Sequence, residues 1–239
     1  MSRRSLIVAK LAVFTSLVAV ATMVISVYVP ATRGYFNLGE TMIYFTALTM
    51  GPGIAAFAGG VGSMLADLVL GYYYYAPATL LIKAAEGALA GYLVKKAPKK
   101  SGWQFALASY ALIAGYFVLI LLIGIMLFVG EVEVSILPIG EGVQQFIFTI
   151  PHYSWVGLAA AAVATPVYFV IREKGHEGWL ILSLLLSGLL MVVGYFIYQQ
   201  FFLGVAALVE IPVNLGQSII GTAVAIPLYK AFRKLYRVA

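Results

Sequence analysis

Six polar side chains able to bind or move a solute lie within or beside long apolar stretches: Asp67, Lys83, Glu86, Glu210, Asn214 and Gln217. Lys83 and Glu86 are three residues apart, as are Asn214 and Gln217, so each pair shares a helix face. A charge in apolar surroundings is costly unless it is paired or reaches a wet cavity, and intramembrane amides otherwise bond neighbouring helices. Two readings therefore stand side by side. One is a convergent binding site, joined on its outer side by His152; the other is a set of structural pairs, Asp67 with Lys83 or Lys83 with Glu86. Four consecutive tyrosines, Tyr72 to Tyr75, follow Gly71 and precede Pro77. Tyrosine favours the membrane interface, but four in a row cannot all face lipid, so one or two are expected to face a pocket and stack on an aromatic ligand.

Most enzymatic chemistry is missing. The dipeptide Gly-Lys does not occur, so the chain has no phosphate-binding loop for ATP. It has no His-Glu-x-x-His, no Gly-x-Ser-x-Gly and no paired acidic motif for Mg²⁺. Zero cysteines exclude disulfides and thiolate metal sites, and two histidines leave little for any other metal. No catalytic activity, cofactor or metal is expected.

The elements that must position these residues are membrane helices. The 239 residues are 63% hydrophobic and 10% charged, with mean hydropathy +1.00. Several apolar runs are long enough to span about 30 Å of hydrocarbon. Leu11 to Val29 is uncharged for 19 residues, longer than a signal-peptide core, so it is read as a retained first helix. About eight spans are expected: 5–29, two within 41–70 divided at Gly51-Pro52-Gly53, 77–94, 103–129, 150–171, 179–202 and 211–229. The second is short unless residues from Phe36 onward contribute.

The basic residues set orientation. With the N-terminus in the cytoplasm, 13 of 15 fall on that side: Arg3, Arg4, Lys10, Lys95, Lys96, Lys99, Lys100, Arg172, Lys174, Lys230, Arg233, Lys234 and Arg237. Both termini are therefore expected to be cytoplasmic. The net charge of +6 is explained by lipid and topology, and nucleic acid is not an expected partner. At 1.5 Å per residue, Asp67 lies roughly 22 Å up the third helix and Lys83 roughly 9 Å below the outer face. The polar residues thus gather in the outer third above an apolar lower half, which suits a pocket open outward and sealed below.

The C-terminal half contains a repeat. Gly102-Trp103 recurs as Gly178-Trp179, Gly115-Tyr116-Phe117 as Gly194-Tyr195-Phe196, and Ile150-Pro151 as Ile211-Pro212. Either two apolar hairpins coincide in turn chemistry, or a hairpin has been duplicated in the same orientation.

A wider pattern joins Asn37-Leu38-Gly39-Glu40, Gly51-Pro52, Gly62-Ser63, Asp67, Gly71-Tyr72, Ala76-Pro77, Lys83, Glu86-Gly87, Gly91, Gly194-Tyr195-Phe196 and the run Glu210 to Gln217. In order and spacing it resembles the substrate-binding S component of energy-coupling factor (ECF) transporters, riboflavin or hydroxymethylpyrimidine branch. The resemblance implies an all-α polytopic bundle, a small vitamin-type solute, and partners consisting of a coupling membrane protein and ATP-binding cassette ATPases, in the cell membrane of a prokaryote. It implies further that the first helix packs on the coupling protein through small residues, here Ala12 and Ser16 or Thr15 and Ala19. S components have six helices, and the motifs skip 103–171. The chain is therefore read as one membrane domain: core helices over 1–100, an extra hairpin over 101–175 and a core hairpin over 176–239.

The expected pocket is lined by Asn37, Asp67, Tyr72, Tyr75, Lys83, Asn214 and Gln217. The rival expectation is a self-contained secondary transporter, with Asp67, Lys83 and Glu86 coupling a proton or sodium ion.

Overall fold

The computed structural model describes residues 2–29, 32–97, 103–127, 130–136, 144–151 and 176–237, with a few positions between 153 and 164. Helix α1 spans Arg3–Val24, and the Ser2 hydroxyl caps its first turn by accepting from the Ser5 amide at 3.1 Å. Strands β1 (Ser26–Val29) and β2 (Gly34–Asn37) follow as an antiparallel hairpin. Helices α2 (Gly39–Met50), α3 (Pro52–Leu70) and α4 (Ala76–Lys95) come next. Gly51 and Gly71, at φ 81° and 86°, adopt conformations that other residues resist, and each ends a helix. Pro52 begins α3 where a missing N–H costs nothing.

Helix α5 (Trp103–Leu127) leads to strands β3 (Gly130–Ile136) and β4 (Gln144–Ile150). The chain closes with α6 (His176–Gln200), a 3-10 turn at Gly204–Val209 and α7 (Glu210–Arg237).

Helices α1 to α5 reverse direction in turn and α6 runs parallel to α5, so α1, α3, α5 and α6 run toward one end of the bundle. At that end the strands form an antiparallel sheet in the order β2-β1-β3-β4, and Val27 of β1 pairs with Ile136 of β3. Lys95, Lys96, Arg233 and Lys234 fall at the opposite end. Trp179 donates there to the Leu93 carbonyl at 2.8 Å.

Glycines set the tightest contact. A Cβ on Gly59 would lie 2.8 Å from the Lys83 carbonyl, and one on Gly60 would lie 2.6 Å from that of Leu80. The backbones of α3 and α4 can approach so closely only because both positions lack side chains. Helix α1 packs on the other side of α3, where Gly62 faces the Thr15 carbonyl. Ile43, Tyr44, Leu184, Leu185, Leu215 and Ile219 fill the core between α2, α6 and α7.

The outer surface is apolar. Val13, Val69, Leu81, Val118 and Ile197 are all exposed, as lipid-facing residues must be. Four described segments are long and apolar enough to cross a membrane: 3–24, 52–70, 178–200 and 204–235.

The bundle is mostly helical, but it is not all-α. The first helix stops at Val24 rather than Val29, because Ser-Val-Tyr-Val enters the sheet. Helix α2 has 12 residues, about 18 Å, because Phe36 and Asn37 belong to β2 and cannot lengthen it. The stretch between the spans expected over 103–129 and 150–171 holds β3 and nearly all of β4. Its Glu-Val-Glu-Val alternation carries the two-residue period of a strand. Helices α5 and α6 run parallel: Ser109 donates to the Gly178 carbonyl and Tyr116 to the Leu185 carbonyl, at 2.8 and 2.6 Å. Most of the expected span over 150–171 lies outside the described residues, and so does His152.

Candidate substrate-binding site

A cavity opens at the sheet end of the bundle, with about 440 Å³ of space between its walls, open solvent at the mouth included. Every wall has a separate structural origin. Helix α1 supplies Thr22; β2 supplies Gly34, Tyr35 and Asn37; and α3 supplies Ser63 and Asp67. The loop before α4 supplies Tyr75, α4 supplies Thr79 and Lys83, α6 supplies Tyr195 and Gln199, and α7 supplies Glu210, Asn214 and Gln217.

Six of the seven residues expected at the pocket line it: Asn37, Asp67, Tyr75, Lys83, Asn214 and Gln217. Tyr72 stands behind them, stacked on Tyr35 with ring centres 4.5 Å apart. The amides form a relay. The Asn37 N–H donates to Gln217 Oε1 at 3.0 Å, and Gln217 Nε2 donates to Asn214 Oδ1 at 2.7 Å. This chain of bonds fastens β2 to the first turns of α7.

The expected pairing of Asp67 with Lys83 does not form. Lys83 instead pairs with Glu40 of α2, and with Glu86 of its own helix at 3.1 Å. All three side chains are buried. Tyr44 donates to Glu86 at 2.8 Å and lies 3.2 Å from the Ser218 hydroxyl. The ground beneath the cavity is therefore an ion network joining α2, α4 and α7, with the apolar core deeper still. Lys83 chooses the glutamates because α2 descends beside α4 and brings Glu40 to it.

Asp67 is held by a different partner: Tyr35 Oη donates to its Oδ1 at 2.6 Å. Burial, and then the charge of Asp67, pushes the Tyr35 hydroxyl well above its ordinary pKa, so it remains a donor.

Aromatic and hydroxyl groups close the upper wall. Tyr75 Oη donates to the Thr32 carbonyl at 3.1 Å and accepts from Gln199 Nε2 at 2.9 Å. Thr32 also donates to Glu210. Tyr195 donates to Thr79 at 2.9 Å, and its ring centre lies 5.6 Å from Lys83 Nζ.

Sequence reasoning did not place Glu40, Tyr35, Thr79, Tyr195 or Gln199 at the site, although Glu40 and Tyr195 stand in the wider motif pattern. Glu40 is an acidic residue opening an apolar segment, and Gln199 is an amide within one, so both carried the signal that picked out Asn214. Tyr35 and Thr79 carried none, since only the sheet and the α3–α4 packing bring them to Asp67.

On α1, Ala12 and Ser16 are exposed, whereas Thr15 and Ala19 are buried in the bundle. Of the two small-residue pairs, only the first is open to a partner. Helix α5 packs on α6, α7 and the 3-10 turn, away from the cavity lining.

The family described as "ECF-type riboflavin transporter, S component" matches residues 4–150, more than half of the chain. The chain belongs to this family. The matched span contains α1 to α5, both hairpins and the cavity residues from Thr22 to Lys83. It also covers 103–150, which the sequence motifs skip. A Pyrococcus woesei protein described as "Uncharacterized protein in gap 3'region" is 47% identical over 78 residues, 33% of this chain and 52% of its own length. The chain thus spans about half the length of that curated relative. The family is one of transporter S components, which is not an enzyme class.

Proposed function

We propose that this S component captures a small vitamin or vitamin-precursor solute with a planar heteroaromatic part, in the cavity between β2, α3, α4, α6 and α7. The observation that carries the reading is the convergence of polar side chains from seven segments on one cavity, roofed by tyrosines and closed beneath by the buried Glu40–Lys83–Glu86 network. Tyrosine faces suit a flat ring, and the amides of Asn214, Gln217 and Gln199 suit its polar edge. The family description names riboflavin, a neutral ring system, which makes it the reference solute for the titration.

On this reading the sheet end faces outward and both termini lie in the cytoplasm, with the basic residues gathered there. About eight spans cross the cell membrane of a prokaryote, six forming the core and the hairpin over 101–175 added to its side. The chain has no phosphate-binding loop, so uptake energy comes from partner subunits. These are a coupling membrane protein, docked on α1 at Ala12 and Ser16, and its ATP-binding cassette ATPases.

Native mass spectrometry of the purified chain, followed by titration with riboflavin, tests the site. A retained aromatic solute whose binding weakens in pocket variants supports it; a solute bound with equal affinity by the Asn214→Ala and Gln217→Ala proteins overturns it. Uptake by liposomes holding this chain alone, driven by an ion gradient, would favour the rival secondary transporter.

A further inference from the structure

We propose that the cavity selects a cationic, donor-bearing nitrogen heteroaromatic ring over neutral and anionic rings of the same shape. This rests on the reading of the cavity as the substrate site and adds the charge of the ligand. Among the described residues, two buried acceptors in the cavity wall have no hydrogen-bond partner: Asp67 Oδ2 and Gln199 Oε1. Each side chain is anchored by its other end. Tyr35 holds Asp67 Oδ1, and Gln199 Nε2 is spent on Tyr75. Asp67 and Gln199 are 2% and 1% exposed, so water does little to relieve the vacant atoms. A buried acceptor left unmade is costly, and a ligand with N–H donors removes that cost.

The charge balance points the same way. Asp67, Lys83 and Glu210 are the charged side chains lining the cavity. Lys83 is already matched by two carboxylates, Glu40 and Glu86. Among the described residues, the buried group thus holds four carboxyl groups and one ammonium. Arg33, near the mouth at the β1–β2 turn, is exposed. Glu210 is held by the Thr32 hydroxyl, which brings no charge. Opposite charge is therefore what the site lacks, and in low-dielectric surroundings a cation would be drawn in while an anion would be repelled. The faces of Tyr35, Tyr75 and Tyr195 add stacking and cation–π attraction for a flat positive ring. A ring carrying only acceptors would leave both vacant atoms as they are.

Three rings of one shape test this: N-methyl-para-aminopyridinium, para-toluidine and para-aminobenzoate, which are cationic, neutral and anionic near neutral pH. Their binding to the full chain in detergent is read by equilibrium dialysis and ligand-observed NMR. The cation should bind about tenfold or more tighter than the neutral ring, and the anion weakest. In the Asp67→Asn protein the preference for the cation should disappear. If that variant does not fold, the ranking on the unaltered chain decides, together with Gln199→Leu, which should weaken both the cation and the neutral amine.

Asn214→Ala separates the two possible failures. Rings that bind equally, all weakened by Asn214→Ala, overturn charge selection and leave the site standing. Affinities untouched by Asn214→Ala overturn the site, and this inference with it. Absence of binding by the cation, or a preference that survives Asp67→Asn, also overturns the inference.

Discussion

At the residue scale, Lys83 and Asn214 do different work although both line the cavity. Lys83 pairs with two buried carboxylates from α2 and α4, so removing it strands both. Breaking a buried pair in this way typically costs about 3–5 kcal/mol, because a charge is left without a partner. Lys83→Ala should therefore lower the thermal unfolding temperature in detergent well beyond Asn214→Ala, and equal unfolding temperatures would show that the network is not holding the bundle. Asn214 accepts one hydrogen bond from Gln217 and presents its remaining amide to the cavity. Losing one hydrogen-bonding group of a buried ligand costs about 1–3 kcal/mol, so Asn214→Ala should weaken solute binding about 5- to 150-fold in a direct titration. Asn214 was legible in the sequence because an amide stands out in an apolar span. The true partners of Lys83 were not, because sequence spacing relates residues of one helix and Glu40 reaches Lys83 from another.

At the element scale, the α3–α4 pair is the frame of the site, since Asp67, Thr79 and Lys83 all hang from it. Its closeness depends on glycine. A side chain at Gly60 would meet the Leu80 carbonyl at 2.6 Å and the Ala84 methyl at 2.9 Å, so the helices must part to admit it. Overpacking of this kind costs about 1–3 kcal/mol, and Gly60→Val should weaken binding as well as lower stability, although Gly60 lies outside the lining. Unchanged affinity in a folded Gly60→Val protein would show that the site tolerates a wider α3–α4 spacing. The glycine run was readable as a packing face from sequence. The sheet was not, because each strand is short and the apolar segments around it dominate any hydropathy window; its signal lies only in the alternation of 130–136 and the β-branched and aromatic content of 26–29.

At the scale of the whole molecule, the cavity and the exposed face of α1 lie apart. Ala12 and Ser16 point away from the bundle, while the cavity takes only Thr22 from this helix. Replacing both with Trp should abolish copurification with a coupling protein and its ATPases and leave solute affinity unchanged; retained assembly would move the docking surface elsewhere. The distribution of basic residues makes a second expectation. Tags at either end of the chain should be reached only from the cytoplasmic side, and an external C-terminus would overturn the eight-span arrangement.

The sequence by itself determined that the chain is a membrane bundle, which end carries positive charge, and which polar side chains are out of place in hydrocarbon. These follow from composition and from position along single helices, and both are local properties. Tertiary structure decided who pairs with whom. It gave Asp67 to Tyr35 rather than Lys83, made Glu40 the second partner of Lys83, and left Tyr72 stacked on Tyr35 outside the lining while Tyr75 joined it. Each of these outcomes depends on the rotation and approach of separate segments, set by glycine contacts and strand pairing far apart in the chain, and no period in the sequence records them.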